Sequence, residues 1–395
     1  MLLADDPARA FMPYPPVEVP GASTGPLMGL TFAAKDLFDV AGYPTGAGSP
    51  AILARSGLKT TTAPAVQMLL DAGARFVGKT HTDEFAFSMN GKNAHFGTPL
   101  NGAAPDRIPG GSSSGSASAV SHGLCDTALG TDTGGSVRAP ASHCGLFGIR
   151  PSHGRIPLAG CHDLAPSFDT CGFFARRPDV FARVAAVMLG EDTAALPEAP
   201  RLLLAADAFA MLGADVRAVL APQVARIEVL LGTAELVDAA GVAGFDPLYW
   251  AFRRLQGRES WLADGAVIEA HRMPLGPGVA ERFAYAREVT DDEVAGAEEA
   301  RADFRARFAG LVAPGAVMVL PTMPDAAPRL SEDESGLDIY RNRSLNILCL
   351  SGLSGFPQVT MPLARRDGAP LGLSLIGPPG SDLSLVRLAV RIATA

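Results

Sequence analysis

The 395-residue chain is 48% hydrophobic and 19% charged, a balance that excludes disorder and leaves ample apolar material for a large core. Its formal net charge is −8 and no run of Lys and Arg follows a helix or strand, which argues against a nucleic-acid or anionic-membrane partner. Five cysteines, an odd number without a CxxC pair, argue against a disulfide framework or a zinc knuckle and point to a reduced, cytoplasmic protein.

The N-terminus, MLLADDPARAFMPYPPVEVPG, has no basic leader and is broken early by acidic residues and prolines, so it does not read as a signal peptide. No apolar run approaches the roughly 20 residues that span a bilayer. Residues 1–27 are expected to form an irregular, proline-rich arm. Order begins at LMGLTFAAKDLFDVAG, where a strand-like run over 30–34 ends in Lys35. TAPAVQMLLDAGARFVGKT then places Val66, Leu69 and Leu70 at helical spacing, with Gly73 near the stop and a short strand after it. This is the rhythm of βαβ units.

The pattern repeats from Ser112: a small-residue helix to about Gly123, a strand in DTALGTD, a glycine turn and a short helix in SVRAPASHCG, whose Pro140 suits a first turn. Residues 190–315 change character to Ala-rich, charge-bearing helices such as DDEVAGAEEARADFRARFAGL, expected to cover a sheet with solvated outer faces. AVMVLPTMP and GLSLIGPPG read as buried strands.

GGSSSGSASA, from Gly110 to Ala119, admits three readings. As a linker it would separate segments of different composition, yet ordered pattern flanks it on both sides. As a phosphate loop it lacks the lysine of GxxxxGK[ST], because Ser116 follows Gly115. As part of a nucleophile site it needs a base and oxyanion donors. Downstream, GTDTGGSVRAP supplies donors: Gly134 and Gly135 let the backbone bend close to a substrate, grouping the amides of Thr133 to Ser136 around one spot, with Ser136 opening a helix.

Histidine is the usual base, but His122, His143 and His153 lie in no nucleophile-elbow context and read as structural. Lys35 ends the apolar run GLTFAA; if its ammonium lies inside the protein, burial lowers its pKa and makes a neutral lysine a competent base. Standing alone it reads first as an exposed residue at a strand end.

Lys35 before Asp36, GGSSSG, and GTDTGGSVRAPASHCGLFGIRPSHGRI together resemble the amidase signature family, densely over 28–175 and again in GLSGFPQVTMPLARRDGAPLGLSLIG. The resemblance implies an α/β amidase signature fold in a single domain, with a large mixed, twisted β-sheet covered by helices on both faces. The catalytic core would comprise 28–190 and 340–390, and 190–340 would be a variable elaboration lining the site. It implies a Ser-cisSer-Lys triad: Lys35 as base, Ser112 behind a cis peptide as bridging serine, and Ser136, 24 residues further on, as acylated nucleophile. Thr133, Gly134, Gly135, Ser88, Met89 and Asn90 would bind substrate, the last three within EFAFSMNGKN.

The implied reaction is hydrolysis of a linear amide to carboxylate and ammonia, without metal or cofactor. Its partner would be a small-molecule amide, with no nucleic acid or membrane involved and with a homodimer left open. NGKNAHFGTPLN, DRIPGGSSSGSA, SFDTCGFFAR and PLGPGVAERF resemble the compact plant-type indole-3-acetamide hydrolases, which implies an arylacetamide. The alternatives are a small aliphatic or dicarboxylic half-amide or, in another class, the ammonia-supplying subunit of an amidotransferase. Arg138 is expected to be structural rather than a carboxylate ligand. Cys144 reads as packed core, and Asp132 and Asp169 as acceptors that orient loops.

Overall fold

The computed structural model describes residues 5–395; residues 1–4, at the start of the expected arm, lie outside the described residues. Ten strands form one sheet: β1 (Thr31–Lys35), β2 (Arg75–Thr80), β3 (Thr127–Thr131), β4 (Phe147–Arg150), β5 (Cys171–Ala175), β6 (Arg201–Ala205), β7 (Glu235–Val237), β8 (Ala316–Pro321), β9 (Gln358–Arg366) and β10 (Ala369–Ile376). Their order is β2-β1-β3-β5-β4-β9-β10-β8-β6-β7. The β2-β1-β3 and β8-β6-β7 ends are parallel, and the middle is antiparallel. The fold is therefore a mixed α/β sheet.

Alternation along the strands divides the core into two faces. Ala33, Ala128 and Phe174 pack with Ala117, Val120 and Ala141, whereas their neighbours Phe32, Leu129 and Phe173 join Leu69, Phe181 and Val184. With both faces covered, β3, β4, β5, β8 and β10 are buried throughout. The small side chains of the helix Ser114–Ser121 let it lie close against β3. A Cβ on its Gly115 would fall 2.3 Å from the Ala10 carbonyl oxygen.

Residues 5–27 contain no helix or strand but are not a loose arm. Ala8, Ala10 and Met12 are buried, Phe11 bridges to Thr80, and the Met12 amide donates to the Lys79 carbonyl at 2.9 Å. Residues 190–340 do more than cover the sheet, because β6, β7 and β8 extend it by three strands. The same stretch supplies the helices Phe245–Ser260, Val279–Glu288 and Asp291–Leu311, which pack with Glu334–Ser354 into a layer. Among the described residues no helix is long and apolar enough to cross a membrane.

Candidate active site

The site forms where parallel strands β1 and β3 end side by side. Lys35 is the last residue of β1 and Thr131 the last of β3. Lys35 is fully buried, and its Nζ donates to Ser112 Oγ at 2.7 Å and to Thr131 Oγ1 at 2.8 Å. Burial lowers its pKa to about 8, and the charges of Asp83, Asp169 and Asp132 oppose that shift.

Lys79 on β2 is an instructive control. It is equally buried, but Asp36 Oδ1 lies 2.8 Å from its Nζ. Of these two buried lysines, Lys79 has a carboxylate partner and Lys35 has only hydroxyls.

The loop before the helix Ser114–Ser121 presents Ser112 to Lys35. The Gly111–Ser112 peptide is cis. The Gly111 amide donates to the Met89 carbonyl at 2.8 Å, and the Ser112 carbonyl accepts from the Asp83 amide at 3.1 Å. Glycine is required at 111, where a Cβ would meet Asp83 Oδ2 at 2.2 Å. The Ser113 amide donates to the Ser136 carbonyl at 3.3 Å, which ties the two serine loops together. Ser113 Oγ bonds the Thr131 backbone and Ser116 Oγ donates to the Leu129 carbonyl, so both hydroxyls are spent on structure.

Asp132 organises the second loop. Its carboxylate accepts from the amides of Gly135 (2.9 Å), Val137 (3.1 Å) and Arg138 (3.2 Å), and it pairs with Arg138 (2.7 Å) and Arg150 (3.2 Å). These two guanidiniums and the amides hold its carboxyl well below the usual range despite burial. Arg138 is completed by Gln358 Oε1 and the Leu348 carbonyl, which makes it structural.

One expectation needs correction. The Gly135 N–H is committed to Asp132, so it is not available as an oxyanion donor. Among the described residues, the N–H groups of Thr133, Gly134 and Ser136 have no protein acceptor.

A small cavity beside Ser136 is lined by Ala86, Phe87, Ser88, Met89, Gly134, Gln256, Arg341 and Leu345. The structure thus gathers Ser88, Met89 and Gly134 around Ser136. It does not bring Asn90 or Gly135 to this lining. Thr133 turns its hydroxyl to Asp169 Oδ1 at 2.5 Å, beside a neighbouring cavity. Asp169 Oδ2 in turn accepts from the amides of Leu164 and Ala165.

Sequence reasoning did not single out Phe87 and Gln256 within the stretches expected to line the pocket, 84–93 and 190–340, and it passed over Arg341 and Leu345. The available signal was polarity on an apolar stripe: Gln256 follows Phe252 by one helical turn, and Arg341 lies between Leu337 and Leu345.

The other candidates are satisfied elsewhere. His143 pairs with the Tyr340 hydroxyl, while ring nitrogens of His122 and His153 meet the carbonyls of Ser118 and Pro166. Buried Cys144 donates to the Pro109 carbonyl. Among the described residues, no group of three or more His, Cys, Asp or Glu is arranged to hold a metal ion.

A family model described as Amidase matches residues 13–216 and 265–386. Amidase 1 of Arabidopsis thaliana is 36% identical over 97% of both chains. The chloroplastic Outer envelope protein 64 of the same plant is 34% identical over 94% of this chain and 67% of its own. A crystal structure of an amidase superposes with a TM-score of 0.83 at 29% identity, covering 94% of this chain and 85% of that one. Matched by the family model over most of its length and by an amidase structure over 94% of it, the chain belongs to the amidase signature family and is an amide-hydrolysing enzyme.

Proposed function

We propose that the enzyme cleaves its amide through a Ser136 acyl-enzyme, with Ser112 as the bridging hydroxyl and Lys35 as the base. One observation carries this reading: the Lys35 ammonium is buried without a carboxylate partner, 2.7 Å from Ser112 Oγ. A lysine so placed gives up its proton at about pH 8, whereas Lys79, also lowered by burial, has Asp36 beside it to favour its charged form.

In the proposed cycle the substrate carbonyl oxygen accepts from free amides among Thr133, Gly134 and Ser136, and Ser136 Oγ attacks the carbonyl carbon. Its proton passes to Ser112, whose own proton passes to Lys35. The relay runs backwards to protonate the departing ammonia. Water then attacks the acyl-enzyme and gives its proton to the same relay, which returns it to Ser136 Oγ as the C–Oγ bond breaks and the acid product leaves as its carboxylate.

Two acyl groups suit the chemistry of the lining. An arylacetamide such as indole-3-acetamide would set its ring against Phe87, Met89 and Leu345. A half-amide of a dicarboxylic acid would use Arg341 instead.

Ammonia release by the isolated protein, scored across aryl, aliphatic and half-amides, tests the activity. It also separates a hydrolase from an ammonia-supplying subunit. Ser136→Ala is expected to abolish turnover and the acyl-enzyme mass increment seen on rapid quench. A Ser136→Ala protein with full activity refutes the reading.

A further inference from the structure

Buried arginines in this fold come with partners. Arg138 and Arg150 share Asp132, Arg301 bonds Ser167 and the Leu353 carbonyl, and Arg282 donates to the Phe87 carbonyl at 2.5 Å. Arg341 differs. It is 5% exposed and lines the cavity that holds Ser136. Yet among the described residues no acceptor or carboxylate engages its guanidinium, and its Nε is buried without a partner.

The local charge is no remedy. Burial disfavours the Arg341 charge, and Arg282 and Arg253 add to that. The nearest carboxylate, exposed Asp338, lies 3.9 Å from Arg282 Nη1 and favours the Arg341 charge only at longer range, without a hydrogen bond or ion pair to it. Arg253 donates to the Tyr249 hydroxyl. A guanidinium keeps its proton even when buried, and its planar fork of donors matches a carboxylate in bidentate fashion. The cavity therefore holds a fixed cation without its anion, next to the proposed nucleophile. Gln256, buried on the same lining, also has no protein partner for its side-chain amide among the described residues.

We propose that Arg341 receives a carboxylate at the far end of the acyl group, so that the preferred substrate is a half-amide of a dicarboxylic acid. This rests on amide hydrolysis at Ser136 as proposed above. The apolar walls would then hold the short methylene chain between the two ends. Arg341 becomes the residue that separates this substrate from a neutral amide of the same shape.

The test uses pairs that differ only in carboxylate against methyl: malonamate and propionamide, succinamate and butyramide, glutaramate and valeramide. For the best pair, kcat/KM of the wild-type enzyme is expected to favour the acid by on the order of 100-fold, because the neutral analogue leaves a buried charge unmatched. In Arg341→Gln the ratio should collapse towards unity, chiefly through KM, and Arg341→Lys should restore part of it. A wild-type preference for the neutral member of all three pairs overturns the proposal. So does a ratio that survives in Arg341→Gln.

If Arg341→Gln does not fold, the wild-type ratios still decide. If the wild type releases ammonia from no amide, the hydrolytic reading fails, and calorimetry on Ser136→Ala then decides the carboxylate site separately. Succinamate binding that is at least tenfold tighter than butyramide binding, and is lost when Arg341→Gln is added, supports the site. Equal binding of the two compounds overturns it.

Discussion

Lys35→Met removes the proposed base while keeping an unbranched apolar stem in the same space. Below pH 8 the wild-type protein folds with a charged lysine in a site that prefers it neutral. Going from the ordinary lysine value of 10.5 to about 8 corresponds to about 3 kcal/mol of native-state penalty. The sign follows from proton counting: the folded-state pKa is lowered, so between 8 and 10.5 the unfolded chain binds more protons, and stability rises with pH. Methionine carries no such dependence. Loss of the hydrogen bonds to Ser112 and Thr131 costs the variant about 1–3 kcal/mol at every pH.

The difference between the two proteins therefore isolates Lys35, since all other groups cancel. Urea unfolding of both at pH 7.5 and pH 10 should show wild type gaining about 2 kcal/mol on Lys35→Met across that interval. Activity of the variant should fall roughly 100-fold to 10,000-fold, as for loss of a general base. An unfolding difference that stays constant within about 0.5 kcal/mol would mean that the native lysine is not close to neutrality, and the argument for its role as base fails with it.

The same lysine sets the pH profile: kcat/KM should rise through an apparent pKa near 8 and level off above it, and a flat profile from pH 6.5 to 9.5 contradicts this. Asp132→Asn leaves Arg138 and Arg150 buried without a counter-charge and should lower the unfolding free energy by about 3–5 kcal/mol, measured by urea titration. Near-wild-type stability would mean that the network is not held by charge. Gly134→Ala directs a methyl to 2.7 Å from Phe252 Cζ. It should cost about 1–3 kcal/mol and depress kcat/KM, with stability recovered by Phe252→Leu. Failure of that second-site rescue would show that the clash lies elsewhere.

The serine loops and Lys35 stood out in the sequence through the family resemblance of their motifs, and the glycines that let the loops approach Lys35 are written beside them. Burial of Lys35 was suggested but not decided by the apolar run it ends, which also fits an exposed strand end. That run could not distinguish it from Lys79, since only the position of Asp36 across the strands separates a paired lysine from an unpaired one. Nor could GTDTGG reveal that the Gly135 amide turns back to Asp132. Arg341 and Gln256 stayed hidden for a related reason: a polar residue on an apolar helical stripe is ordinarily satisfied by its neighbours, and only coordinates show whether those neighbours exist. The strands at 201–205, 235–237 and 316–321 extend a sheet whose other members lie far away in the chain. AVMVLP announces itself, whereas RLLLA runs straight into a helix and ELV is only three residues long, which is why the helices dominated the reading of that region.

Lys35, Ser112 and Ser136 all come from the first 136 residues, whereas Gln256, Arg341 and Leu345 come from helices that follow β7. The two sets meet across glycine: Phe252 and Leu348 press on Gly134 and Gly135, where no side chain of the loop stands between them. On the proposed roles, the relay and one wall of the cavity come from one stretch of the polypeptide and the opposite wall from another, joined at a seam of bare backbone. A lineage can exchange residues on the distal helices and acquire a new acyl preference while the proton relay stays as it was. The constraint on such drift is steric, because whatever replaces Phe252 or Leu348 must still fit against two residues that have no side chain to move.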